Sequence, residues 1–239
     1  MAGPQRHLEA KAAQCYTDGS YLDRTGGTWH LEDASFKASQ IIRMLSRHGE
    51  IAVTTVCDIG AGAGGVLHHL QRTLPDNVRL IGYDVSPQAH AISRQLANPQ
   101  CQFILGDAFA DPCKFDLVLV MDVVEHVDDC FAFMRKAKAK GRYKIYQIPL
   151  DLSVNTLLRG VDRWNSVGHL HLFTIETALK SVAYADQTVL DFFLTSGALA
   201  RPGSWKCRLA NLLRVPMAAV NREFVARLLG GYSILILAQ

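Results

Sequence analysis

The chain has 239 residues, 49% hydrophobic and 20% charged, with a net charge of +3. That length suits one large α/β domain, and the composition excludes a disordered chain. The net charge is too small to argue by itself for nucleic acid as a partner.

Residues 1–50 read as an N-terminal helical section. Phe36, Ile41, Ile42, Met44 and Leu45 recur at helical spacing, and Asp33 and Ser35 precede them as candidate caps. Strand and helix signals then alternate. Ile51–Ile59 is an apolar, β-branched strand that runs into glycines. Val66–Leu74 is a helix, and Val78–Tyr83 a strand ending at Asp84. Pro87 opens a helix through Leu96. Cys101–Leu105 is a short strand, and Phe115–Met121 suits a central buried parallel strand. A helix over Cys130–Lys140 precedes a strand over Tyr143–Ile148. This alternation predicts a parallel sheet with helices on both faces and ligands at the carboxyl ends of its strands. The remainder reads as a helix over Thr174–Tyr184 and strands over Thr188–Leu194 and Tyr232–Ala238. Between those two strands lies a basic stretch that suits two short helices.

None of the six cysteines, Cys15, Cys57, Cys101, Cys113, Cys130 and Cys207, forms a Cys-x-x-Cys pair. They read as free core thiols in a reducing compartment, with no disulfide frame and no zinc site. Met1–Gln14 is polar and lacks the apolar stretch of a secretory signal, and no apolar run approaches the roughly 20 residues of a membrane span. A cytoplasmic protein is expected, with contact at a membrane surface left open.

The densest chemical signal is Asp58-Ile59-Gly60-Ala61-Gly62-Ala63-Gly64-Gly65, a strand, a glycine loop and a helix start. Glycines permit a tight turn and a close ligand, and the helix N-terminus offers N–H groups to an anion. Gly60, Gly62 and Gly65 also satisfy the dinucleotide pattern, and Asp84 can bind a ribose diol with either cofactor. The loop alone does not choose between them.

Four motifs in order make the choice. Asp58-x-Gly60-x-Gly62-x-Gly64, Tyr83-Asp84-Val85-Ser86, Gly106-Asp107-Ala108-Phe109 and Phe115-Asp116-Leu117-Val118-Leu119-Val120-Met121-Asp122 together resemble the class I S-adenosylmethionine-dependent methyltransferases. The resemblance spans roughly residues 50–195 and returns at the last strand. It implies a Rossmann-like α/β fold with a seven-stranded, mostly parallel sheet and an antiparallel last strand. It also implies a methyltransferase domain over 51–239, behind the helical cap 1–50, with a basic helical insertion at about 195–230. By the resemblance, Gly60, Ala61 and Gly62 hold the methionine end of the cofactor near Asp58. Asp84 accepts the ribose hydroxyls, Asp107 accepts from the adenine amino group, and Val85 and Ala108 flank the ring. Met121 and Asp122 line the floor. S-adenosylhomocysteine is the product. For Asp107 a role as a turn residue stands beside the adenine role.

Val123-Val124-Glu125-His126-Val127 and Gly168-His169-Leu170-His171-Leu172-Phe173-Thr174 resemble the small-molecule branch, which includes ubiquinone-pathway, sugar and natural-product enzymes. Trp29-His30-Leu31-Glu32-Asp33 with Phe36-Lys37-Ala38 looks like bacterial members linked to cell-surface polysaccharide genes. The expected reaction is methyl transfer to a hydroxyl or amine of a small, sugar-linked or lipid-linked acceptor. A nicotinamide-dependent oxidoreductase and a catalytically silent cofactor-binding protein are the alternatives.

For a hydroxyl acceptor, a histidine suits the role of base. The candidates are His126, His169 and His171. His126 also reads as a residue beside the cofactor, and alternation puts His169 and His171 on opposite faces of an extended segment. Asp151 could orient an acceptor or cap the next helix, and Thr174 with Glu176 and Thr177 suits a helix start. Some relatives hold magnesium through Glu-x-x-Glu-His. Here Asp122 stands in the first place, a shorter reach, and no metal is expected.

From Arg201 to Arg227 there are six basic residues (Arg201, Lys206, Arg208, Arg214, Arg222, Arg227) and one acid, Glu223, a net +5 that leaves about −2 for the rest. Apolar residues are interleaved. Three readings stand: helices packed on the sheet, a membrane-surface patch, or a lid over an anionic acceptor. No nucleic-acid partner is expected.

Overall fold

The computed structural model describes residues 31–160, 168–200 and 205–239. Cys15, Trp29, His30 and Arg201, and the side chains of Lys206, Cys207 and Arg208, lie outside the described residues. The chain divides into two compact units, Met1–Met121 with Lys136–Ile145, and Asp122–Arg135 with Tyr146–Gln239.

In chain order the elements are α1 (Leu31–Arg47), β1 (Thr55–Ile59), α2 (Gly65–Leu70), β2 (Arg79–Asp84), α3 (Pro87–Ser93), β3 (Cys101–Leu105), β4 (Phe115–Met121), α4 (Cys130–Lys140) and β5 (Gly141–Pro149). There follow α5 (Val154–Arg159), α6 (Ile175–Tyr184), β6 (Val189–Thr195), α7 (Gly197–Ala200), α8 (Trp205–Val220), α9 (Arg222–Leu229) and β7 (Ser233–Ala238). The seven strands form one sheet in the order β3-β2-β1-β4-β5-β7-β6. It is the mixed sheet that the resemblance implies, and its β3-β2-β1-β4 part is the parallel sheet that the alternating pattern predicts.

In the first unit β1 pairs in parallel with β2 and β4, and β2 with β3. Leu117 to Val120 are fully buried, as a central strand requires. Helix α1 buries Ala34, Ala38, Ile41 and Met44, one stripe at helical spacing. Its small residues let α2 come close: a Cβ added at Gly65 would stand 2.6 Å from that of Ala34. In the second unit β6 runs antiparallel to β7, Thr195 opposite Ser233. Thr174 caps α6 in a reciprocal capping box with Thr177.

Four expectations need correction. The first strand starts at Thr55, not Ile51; the N–H groups of Thr54 and Thr55 donate to the side-chain Oδ2 of Asp116 on β4, at 2.8 and 3.0 Å, and not to strand carbonyls. Helix α2 ends at Leu70, not Leu74: Thr73 and Leu74 both turn back onto the Leu70 carbonyl, just ahead of Pro75. Cys57, Cys101 and Cys130 are buried free thiols, but Cys113 is exposed. The basic stretch holds one long helix, α8, and one short, α9.

The loop into α2 makes a local test. Gly64 has φ +81°, and a Cβ there would meet the Phe103 ring at 2.6 Å, whereas Gly197 faces open space. Gly64→Ala is expected to lower unfolding free energy by about 2–4 kcal/mol, from overpacking plus left-handed strain. Gly197→Ala should stay within about 0.5 kcal/mol of the parent. Urea unfolding of both variants measures the contrast.

Candidate active site

In the first unit the chain leaves β1 at Ile59 and turns sharply through Gly60 (φ 76°) and Gly62 (φ 55°). The N–H groups of Gly60 and Ala61 both donate to the Tyr83 carbonyl at 2.9 Å. Asp84, the last residue of β2, then binds the loop by its side chain. Its Oδ2 accepts from Gly62 N–H at 2.7 Å and its Oδ1 from Ser86 N–H at 2.8 Å. The carboxylate is thereby aimed, and each oxygen has a second lone pair for a further donor. Burial raises the Asp84 pKa against the lowering by these two N–H groups.

Asp58 lies beneath the loop, 1% exposed. Its Oδ1 has no hydrogen-bond partner among the described residues. Burial lifts its pKa to about 7, with Lys37 on α1 opposing and Asp84 adding to the rise. A buried carboxylate with an open acceptor fits a cationic donor such as an amino group. Val85 is 58% exposed and Ala108 is buried. Asp107 is exposed, and its Oδ1 caps the turn at Phe109 N–H, 2.9 Å away. It therefore does serve as a turn residue, with its other oxygen outside that bond. Met121, at the end of β4, is buried.

A bracing pair near β2 was not anticipated. Tyr83 OH donates to Asp111 Oδ2 at 2.5 Å, and Lys140 Nζ donates to the Asp111 carbonyl at 2.6 Å. These bonds and Cys113 N–H hold the Asp111 carboxyl down at about 2. Asp111 lies between two elements in sequence, so periodicity offered no signal for it.

The second unit gathers the histidines. Asp122 follows β4 in the left-handed region (φ 58°), with its N–H on the Gln147 carbonyl and its Oδ2 accepting from Gln147 Nε2 at 2.9 Å. Glu125 and His126 sit on the single turn after it. The Glu125 carbonyl accepts from the N–H groups of Leu170 and His171, which draws the 168–173 segment alongside. His126 Nδ1 then lies 3.0 Å from the Gly168 carbonyl, and His169 Nδ1 2.6 Å from Asp151 Oδ2. Because both contacts are with acceptors, both rings carry hydrogen on Nδ1. The two rings meet edge to face, with centroids 4.7 Å apart. Burial first, and then the nearby His169, depress the His126 pKa to about 4, so it is neutral at pH 7.

His171 takes no part in this cluster. Its Nε2 donates to the Val127 carbonyl at 2.8 Å, the opposite-face arrangement expected of alternating residues. Asp151 orients a histidine, and the cap of the next helix falls to Ser153. One donor atom each from Glu125, His126 and His169 lies within 4.8 Å of the others, a spacing that could hold a cation. Tying each Nδ1 to an oxygen while presenting Nε2 is how metal-binding imidazoles are oriented.

Residues 57–140 match a family described as a methyltransferase domain. The chain is 32% identical over 114 residues to the mitochondrial ubiquinone biosynthesis O-methyltransferase of Schizosaccharomyces pombe, covering 43% of this chain and 40% of that one. It is 33% identical over 87 residues to norajmaline N-methyltransferase of Rauvolfia serpentina, covering 33% and 29%. The chain thus spans less than half the length of either curated relative. The solved magnesium protoporphyrin IX methyltransferase of Synechocystis PCC 6803, with bound SAH, superimposes with a TM-score of 0.58 at 16% identity, over 85% of this chain and 81% of that one. Over residues 57–140 the chain is thus similar to a methyltransferase-domain family, and its likeness to the solved structure is one of fold. The matched stretch includes the glycine loop, and the matching family is a methyltransferase domain.

Folded Asp58 keeps its proton up to about pH 7, whereas an unfolded aspartate loses it near pH 4. The folded state binds more protons in that window, so stability falls as pH rises from about 4 to about 7. Thermal unfolding at pH 5 and pH 8 is expected to show Asp58→Asn losing about 2–3 kcal/mol less than the parent between those values. Equal losses would mean that Asp58 ionises without cost.

Proposed function

We propose that the protein transfers a methyl group from S-adenosylmethionine to a hydroxyl of a small, sugar-linked or lipid-linked acceptor. The observation that carries the oxygen reading is the 2.6 Å contact between His169 Nδ1 and Asp151 Oδ2. A carboxylate so placed fixes the tautomer and stabilises the imidazolium that forms when Nε2 takes a proton.

The cofactor belongs to the first unit. Asp84, aimed by two backbone N–H groups, accepts the ribose hydroxyls. Asp58 accepts from the cationic amino group of the methionine moiety, which supplies its Oδ1 with a donor. The loop at Gly60, Ala61 and Gly62 carries that moiety's backbone-like end. Val85 and Ala108 flank the adenine, Asp107 receives its amino group on the oxygen that does not cap Phe109, and Met121 contributes the floor. When the acceptor oxygen attacks the methyl carbon, the carbon–sulfur bond breaks. Its electron pair stays on sulfur, the sulfonium becomes the neutral thioether of S-adenosylhomocysteine, and His169 Nε2 takes the hydroxyl proton. Alignment of oxygen, carbon and sulfur is the enzyme's main contribution.

A second reading is favoured by the Glu125, His126 and His169 cluster. A divalent cation held there would lower the pKa of an acceptor hydroxyl. Two imidazoles with one carboxylate suit zinc or manganese better than magnesium, which prefers oxygen ligands. Turnover that survives exhaustive chelation would favour His169 alone as base. Turnover abolished by chelation and restored by zinc or manganese would favour the cation.

Titration calorimetry is expected to show binding of S-adenosylhomocysteine and none of NAD(H) or NADP(H). Asp84→Ala should weaken that binding by about 1.5–3 kcal/mol, the range for hydrogen bonds to a charged group. A folded variant that binds as well as the parent would remove the ribose assignment. With an acceptor found by screening, His169→Asn should lower kcat by about 10²–10⁴-fold while leaving that affinity unchanged. An unaltered kcat would exclude it as base. No turnover with any acceptor, despite cofactor binding, would favour the silent protein.

A further inference from the structure

The solvent-facing stripe of α8 is inverted. Its exposed residues with described side chains are Leu212, Val215, Pro216, Ala219 and Val220, spaced i, i+3, i+4, i+7 and i+8, and all are apolar. Leu212 is 70% exposed and Val220 89%. The polar side chains Asn211 and Arg214 lie on the half-buried side, where Arg214 donates to the Leu229 carbonyl at 3.2 Å. A helix covered only by water has the opposite arrangement.

The same inversion occurs on α5, where Val154, Leu157 and Leu158 are all exposed at i, i+3 and i+4. Helix α9 adjoins both α5 and α8 within the second unit and adds the exposed Phe224. Asn155 of α5 and Arg214 of α8 share the Leu229 carbonyl at its end. Three adjoining helices thus turn apolar side chains outward, more than scattered surface residues account for.

Charge selects the occupant. The stretch 201–227 is net +5, and its one acid, Glu223, is engaged by Arg227 at 3.6 Å, an arginine that also pairs with Glu176. Arg159 at the end of α5 and Arg222 at the start of α9 are exposed. Two copies meeting through this face would set Arg159 and Arg222 of one against those of the other, which disfavours a symmetric dimer. No helix among the described residues is long and apolar enough to cross a membrane. Outward apolar side chains among arginines are what an anionic lipid surface receives: the chains enter the acyl boundary and the cations meet the headgroups.

We propose that the face formed by α5, α8 and α9 docks the protein on anionic membranes. The inference stands apart from the methyl-transfer reading. Sedimentation of the full chain with vesicles is the test, using phosphatidylcholine alone and phosphatidylcholine mixed with phosphatidylglycerol, at low and high salt. The protein is expected to partition onto the mixed vesicles at least about tenfold more strongly than onto the neutral ones, and to be released by salt. The double variant Leu158→Asp with Val220→Asp, and separately Arg159→Glu with Arg222→Glu, should lose about tenfold or more of that binding. Both pairs are exposed, and unchanged S-adenosylhomocysteine affinity would show that the fold survives; if the parent does not bind it, unchanged thermal unfolding serves. A parent that stays in the supernatant, equal binding to both vesicle types, or variants that sediment like the parent would overturn the proposal. So would a parent dimer that the Asp variant splits, with no vesicle binding.

Discussion

One carboxylate organises the glycine loop and the turn beside it. Asp84 ends β2, and its two oxygens gather the N–H of Gly62 from the loop beyond β1 and the N–H of Ser86 from the turn ahead of α3. One residue earlier, the Tyr83 carbonyl takes the N–H groups of Gly60 and Ala61. A loop rich in glycine has much conformational freedom to lose, and the three bonds from Gly60, Ala61 and Gly62 hold it from the strand end. The acid that the resemblance assigns to the ligand is therefore also the acid that shapes the loop. The rest of the site can be precise because its most flexible segment is tied at two consecutive residues.

The sheet was legible because buried parallel strands are written as short apolar runs. Phe115–Met121 was read with its observed bounds, and Cys101–Leu105 likewise. The strand start was misplaced where a side chain competes with the backbone. Ile51–Thr54 has the apolar, β-branched character of a strand, but Asp116, 62 residues away, claims the N–H and hydroxyl of Thr54. The Ile51 N–H turns back to the His48 carbonyl. Helix α5 went unread because six residues with one cap carry too little periodicity, and the acid that drew attention, Asp151, is spent on His169.

The candidate site was legible as residue types and not as partnerships. Glycines, Asp58 and Asp84 follow a local order that the eye can find. The pairing of His169 with Asp151, or of His126 with the Gly168 carbonyl, depends on two segments brought together by the Glu125 carbonyl, a backbone atom that every residue type possesses. Of three candidate histidines the structure joins two and spends the third on a carbonyl. The inverted stripe of α8 was hidden for a related reason: an amphipathic pattern shows that a helix has two faces, but not which one is turned to water.

The attachment of Asp116 to Thr54 and Thr55 bears on motion. Both threonines, through N–H and hydroxyl alike, converge on one carboxylate oxygen, while the Asp116 N–H returns to the Thr55 hydroxyl. This staple joins β1 and β4 at the ends where they begin. The glycine loop leaves β1 at the other end. Fraying of β1 from β4 is thus opposed at the end remote from the glycine loop, and the loop end of this strand pair has no such staple of side-chain bonds among the described residues.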